Sequence, residues 1–309
     1  MIAITALYAA GCAASGGNEA GEKASAGKVQ ASATISVLQD MAQEVGGSRV
    51  EVSTIVPPGG SVETFQPSPS DAQKISESEV IFQNGLGLES WMDDLLESTG
   101  GEDARVVELA EGLETIEGGE HAGEEHAAEH DHPHVEGNPH LWLDVANAKS
   151  YVEKIRETLI KVDPEGSENY TSNAREYLDE LEKLDQYIID RAETIPPDRR
   201  KLVTFHDAFP YFVEAYGFEM VGVIVQNPDA EASSREVTEL VRKIEDQGVS
   251  AVFTEPQFNQ GLADTIAAEA EVEVFELYSD ALVDDSNANS YEKMMRTNID
   301  RVVDGLGGQ

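Results

Sequence analysis

Cysteine is almost absent from this chain: Cys12 is the single thiol among 309 residues. That excludes an intramolecular disulfide and any multi-thiolate zinc site. Basic residues are scarce, with 21 Lys and Arg against 60 Asp and Glu, for a formal net charge of -39 and a pI near 4.3. Binding to phosphate backbones or anionic membrane surfaces needs a basic face, so nucleic acid and direct membrane-surface binding are excluded. The acids are spread along the whole chain, the pattern of a surface solvated in high salt, as in halophile proteins. Such a field attracts cations without choosing among them, and molar salt screens it within about 3 Å. Beyond the N-terminal segment, no apolar run is long enough to span a bilayer.

Histidine is scarce too. Of seven in the chain, six fall between positions 121 and 140, and the seventh, His206, stands alone in KLVTFHDAF. Imidazole is the commonest metal-binding side chain and ligates in its neutral form near physiological pH. So tight a grouping of a rare residue points to metal.

At the N-terminus, MIAITALYAAGC closes on small residues before Cys12. This resembles the end of a secretory signal with a lipobox, in which Cys12 is lipidated and becomes the mature N-terminus. ASGGNEAGEKASAGK then has the composition of a flexible tether. Residues 1–30 are therefore expected to be signal remnant and tether. The protein is expected to lie outside the cell membrane, anchored to its outer face, touching it only through a lipid.

From about residue 29, short apolar runs alternate with amphipathic stretches: VQASATI, VLQDMAQEVGG, RVEVSTIV, SPSDAQKISES, EVIFQNG, LESWMDDLLES and RVVELAEG. Strands alternating with helices of about ten residues predict parallel βα units. Residues 111–137 break the pattern with Gly, Glu and His and read as a loop. A helix is predicted from about Ala146 to Val162. Asp163 then caps a second one, with Pro164 at its first position. This second helix runs to about Glu193, with Tyr170, Ala174, Tyr177, Leu181, Leu184 and Ile188 in a single apolar stripe. Thirty residues of helix span about 45 Å, longer than a small domain is wide, so it reads as a strut between lobes. Alternation resumes with KLVTF, MVGVIV, SAVFT and VEVFELY, and a last helix covers about Tyr291–Leu306. The expected fold is α/β, with two lobes, each a parallel sheet flanked by helices, joined by one long helix. The expected division is 31–162, 163–195 and 196–309.

Ligands of open parallel sheets sit beyond the carboxyl ends of the strands. In the second lobe that edge carries His206, Glu255 and Asp280. In the first it carries the loop PPGGSVETFQPSPSD, and His140 of NPHLWLD enters from the connection. A cleft between the lobes would gather these groups.

Six segments in order carry a resemblance to a known family: VPPG…PSPSD at 56–71, NGLGLESW at 84–91, NPHLWLD at 138–144, TFHDAFPYF at 204–212, FTEPQ at 253–257, and SDAL with MMRTNID at 279–300. From about residue 31 onward the chain resembles the solute-binding lipoproteins of zinc and manganese ABC importers, the cluster 9 type of metal receptor with a helical backbone. The resemblance implies a monomeric, non-enzymatic receptor. It would capture a divalent transition metal, Zn2+ first and Mn2+ next, and deliver it to an ABC permease membrane subunit.

Carried over by position, the resemblance implies His140, His206 and Asp280 as metal ligands. Glu255 stands beside them as a supporting residue. Glu63 occupies the position where the family carries a histidine. It either ligates, giving two imidazoles and two carboxylates, or stands back and leaves room for water. Carboxylates lean toward manganese; imidazoles and the affinity order lean toward zinc. His121, His126, His130, His132 and His134 fall in a stretch resembling the family's acidic histidine-rich loop, which would concentrate metal beside the cleft. Two alternatives remain open at this point. One is a zinc hydrolase using Glu255 or Glu63 as general base; the other is a surface adhesin of the same family.

Overall fold

The computed structural model describes residues 27–99, 105–116, 137–228, 230, 232–284 and 287–307. Cys12 and the loop residues His121, His126, His130, His132 and His134 lie outside the described residues. Among those described, Val29–Ala33 (β1), Val50–Thr54 (β2), Val80–Gln83 (β3) and Arg105–Glu108 (β4) form one sheet in the order β2-β1-β3-β4. Lys201–Thr204 (β5), Glu219–Val223 (β6), Ala251–Thr254 (β7) and Glu273–Glu276 (β8) form a second, in the order β6-β5-β7-β8. Every pairing is parallel. Parallel sheets are covered on both faces, which is why AVFT of β7 is buried throughout.

The helices are Ser36–Gly46 (α1), Pro69–Glu77 (α2), Met92–Thr99 (α3), Val145–Val162 (α4), Ser167–Glu193 (α5), Pro210–Tyr216 (α6), Ser234–Gln247 (α7), Gly261–Glu269 (α8) and Tyr291–Gly307 (α9). The 27 residues of α5 span about 40 Å and pack on α1, α4, α6 and α9. The stripe Tyr170, Ala174, Tyr177, Leu181, Leu184, Ile188 and Ala192 is buried. One continuous core runs along it through both lobes, and a second lies between the C-terminal sheet and α7 and α8.

Two local expectations are corrected. Pro164 begins a short 3-10 turn, Pro164–Gly166, before α5 starts at Ser167. The Asp163 carboxylate accepts from Arg49 Nη2 at 2.7 Å and Tyr170 Oη at 2.8 Å and makes no side-chain cap bond to the turn. Helix α3 begins at Met92, later than LESW suggests. Upstream, Gly85, Leu86 and Gly87 all have positive φ, that of Leu86 being 54°. Glu89 turns inward to accept from the backbone N–H groups of Asn84 and Gly85.

Each sheet reverses its direction of growth between its two central strands, β1 and β3 in one lobe and β5 and β7 in the other. Open α/β sheets bind ligands at that switch point. The residues following β5 and β7 are where two of the site's polar groups stand.

Candidate metal centre

Strand β5 ends at Thr204, whose hydroxyl donates to the His206 carbonyl at 2.9 Å and fixes the turn that points the imidazole into the cleft. His206 Nδ1 lies 2.7 Å from Glu255 Oε1, and Glu255 directly follows β7. The other Glu255 oxygen accepts from the Ser279 hydroxyl and from Gln257 Nε2 at 3.2 Å. Gln257 Nε2 also donates to Ser279 Oγ at 3.0 Å. Ser279 precedes Asp280, so one buried carboxylate steadies His206 and the backbone that carries Asp280.

His140 stands just before a short 3-10 turn, Leu141–Leu143. Its Nδ1 lies 2.9 Å from Asn138 Oδ1. Next along, Trp142 Nε1 donates to the Ser279 carbonyl at 2.9 Å, and the Trp142 carbonyl accepts from Tyr291 Oη at 2.7 Å. Glu63 lies on the loop after β2. That loop is held by Trp91, whose Nε1 donates to the Val62 carbonyl at 2.9 Å and whose ring meets Phe65 edge-on.

These segments converge. His140 Nε2 lies 3.4 Å from His206 Nε2 and 3.4 Å from Asp280 Oδ1. Glu63 Oε1 is 3.9 Å from His140 Nε2. One donor atom each from Glu63, His140 and His206 lie within 4.8 Å of one another, and Asp280 joins through His140. The side chains of His140, His206, Asp280 and Glu255 are 0–2% exposed, while that of Glu63 is 22% exposed. Glu63 is therefore the member of the cluster nearest solvent.

The electrostatics favour a cation. Among the described residues, neither Asp280 oxygen has a hydrogen-bond partner, nor has Glu63 Oε2. Buried oxygens so left cost free energy unless something positive meets them. Burial would lower the His206 imidazolium, but Glu255, Asp280 and Glu63 push it up to about 10. Burial would raise the Asp280 carboxyl; His140 and His206 hold it below the ordinary value. Burial raises the Glu63 carboxyl, opposed by His140 and reinforced by Asp280. With both Nδ1 atoms on acceptors, two Nε2 lone pairs face each other and need a proton or a metal ion between them.

All five residues expected at the cleft are thus brought together there. Sequence reasoning missed Asn138, Gln257, Ser279 and Trp91 as supports. All four lie inside quoted motifs, yet nothing in their spacing marks their roles.

Residues 32–305 match the protein family ZnuA, described as zinc-uptake complex component A, periplasmic. The chain belongs to this family. It is accordingly an extracytoplasmic, metal-binding substrate-binding component of an ABC importer, a transport protein rather than an enzyme. Among similar proteins, the manganese-binding lipoprotein MntA of Halalkalibacterium halodurans is 36% identical over 310 residues, covering 99% of this chain and 97% of that one. The manganese ABC transporter substrate-binding lipoprotein PsaA of Streptococcus mitis is 29% identical over 294 residues, covering 92% and 91%.

Solved structures with the same architecture include two metal-binding proteins. One is the manganese-bound periplasmic metal binding protein of Candidatus Liberibacter asiaticus, at TM-score 0.78 and 26% identity, covering 90% of this chain and 99% of that one. The other is the periplasmic zinc binding protein TroA of Treponema pallidum, at TM-score 0.78 and 28% identity, covering 91% and 99%. The hydrolase alternative falls with the family. Glu255 is also fully engaged by His206, Ser279 and Gln257, so it is no free base.

Proposed function

We propose that this receptor holds one divalent transition metal ion on His140 Nε2, His206 Nε2, Asp280 Oδ1 and Glu63 Oε1, and passes it to an ABC permease. The observation that carries the reading is spacing. Ligand atoms 2.0–2.1 Å from a tetrahedral ion lie about 3.3–3.4 Å apart, and two of the contacts are 3.4 Å. Glu63 Oε1 stands 3.9 Å from His140 Nε2 and would move inward as the ion binds.

The affinity order puts zinc first. A manganese reading has its own support in the two carboxylates and in the manganese named for the relatives MntA and PsaA. In this reading the lobes are residues 31–162 and 196–309, with 163–195 as the strut that limits their opening. Cys12 carries the lipid, residues 1–30 tether a monomer to the membrane, and the histidines of 121–134 feed the cleft.

Calorimetric titration tests it. One zinc ion should bind tightly per wild-type chain. H140A and H206A should each abolish tight binding, while deletion of residues 119–136 should leave one high-affinity site. Wild-type affinity in both point variants would refute the assignment.

A further inference from the structure

Asn138 is 4% exposed, and every polar atom it has is engaged. Its Oδ1 is 3.0 Å from the backbone nitrogen of His140 and 2.9 Å from His140 Nδ1. Its Nδ2 donates to the carbonyl of Asp207 at 2.6 Å. Its own carbonyl accepts from Tyr211 Oη at 2.7 Å, and its own N–H donates to the Ile116 carbonyl at 2.8 Å.

The orientation of the amide is not open to choice. A backbone N–H can only donate and a carbonyl can only accept, so the atom facing His140 N is oxygen and the atom facing Asp207 O is nitrogen. Since that oxygen also faces His140 Nδ1, the ring must carry its proton on Nδ1. The lone pair is then on Nε2, the atom directed at His206 and Asp280.

Asp207 is the residue after His206. A single side-chain amide therefore grips one histidine by its ring and, through the Asp207 carbonyl, the chain directly after the other. Outer partners of this kind orient ligands and tune their affinity. We infer that Asn138 is a positioning residue that sets both the tautomer of His140 and its separation from His206.

This rests on reading the two histidines as ligands, and the test separates the two claims. Zinc affinity and the visible absorption of the Co2+-loaded protein are compared for wild type, N138A, N138D, H140A and H206A, with circular dichroism of each metal-free protein as the check on folding. Aspartate keeps an acceptor for His140 Nδ1 but has no donor for Asp207 O; alanine has neither.

N138A should bind zinc about 10–100-fold more weakly with an altered Co2+ spectrum, and N138D should recover part of the loss. A purely structural role would not be rescued by aspartate, which puts a carboxylate against a carbonyl. Should N138A fail to fold, N138L supplies the volume without either polar group. Wild-type affinity and spectrum in N138A, or N138D as weak as N138A, would overturn the inference. Wild-type affinity in H140A and H206A would instead overturn the site itself.

Discussion

The Nε2 atoms of His140 and His206 face each other at 3.4 Å, and each ring is held from behind through Nδ1, one by an amide and the other by a carboxylate. Neither can donate to its partner unless an extra proton is taken up. A proton taken up between them in the metal-free site would sit where the ion is to bind, and Glu255, Asp280 and Glu63 favour it there.

Binding should consequently release that proton. His206 is held up to about 10 in the metal-free protein, against an ordinary 6.5. Below 10 the ion must displace a proton, so affinity rises with pH by up to about tenfold per unit. Competition titrations at pH 6, 7 and 8 check this; equal affinity at all three contradicts it. The sign for stability is opposite in the metal-free protein. A raised value means the contribution of His206 is fully present below about 6.5 and is lost as pH rises toward 10. In thermal melts of H206Q against wild type, that part of the difference should shrink over the same window.

As a ligand in the proposed site, Glu63 would set the balance between metals. E63A should weaken manganese binding more than zinc binding, because a carboxylate suits the harder ion. E63H should shift the ratio further toward zinc. Parallel titrations with both ions measure it, and an unchanged ratio in both variants would mean that Glu63 does not ligate.

Glu255 holds His206 Nδ1 at 2.7 Å. E255Q keeps an acceptor but removes the charge, so zinc affinity should fall about 10–100-fold with stoichiometry unchanged. Wild-type affinity in E255Q would show that the carboxylate does not tune the ligand.

The strut can be weakened apart from the site. Leu184 is fully buried in the α5 stripe, and L184A should cost about 2–5 kcal/mol. Denaturant unfolding should show the loss while zinc affinity stays within about threefold; an equal loss of affinity would mean that the helix sets the site directly.

The alternation of apolar and amphipathic runs was enough to place each strand and the long helix, because parallel strands and buried helix faces impose periods on the sequence. His206, Glu255 and Asp280 were legible from their positions at strand ends, and His140 from its motif. Asn138 and Gln257 were not, because an amide that bonds to a carbonyl 69 residues away, or to a serine 22 away, leaves no periodic trace. The late start of α3 was hidden for a related reason. Glu89 looks like an ordinary helical glutamate until its partners Thr34, Asn84 and Gly85 are seen together.

Diffraction from crystals of the zinc-loaded protein, recorded on both sides of the zinc absorption edge, tests the central assignment most directly. One anomalous peak should appear about 2.0–2.2 Å from His140 Nε2, His206 Nε2 and Asp280 Oδ1. A peak elsewhere in the chain, with these three atoms lacking an ion, would contradict it.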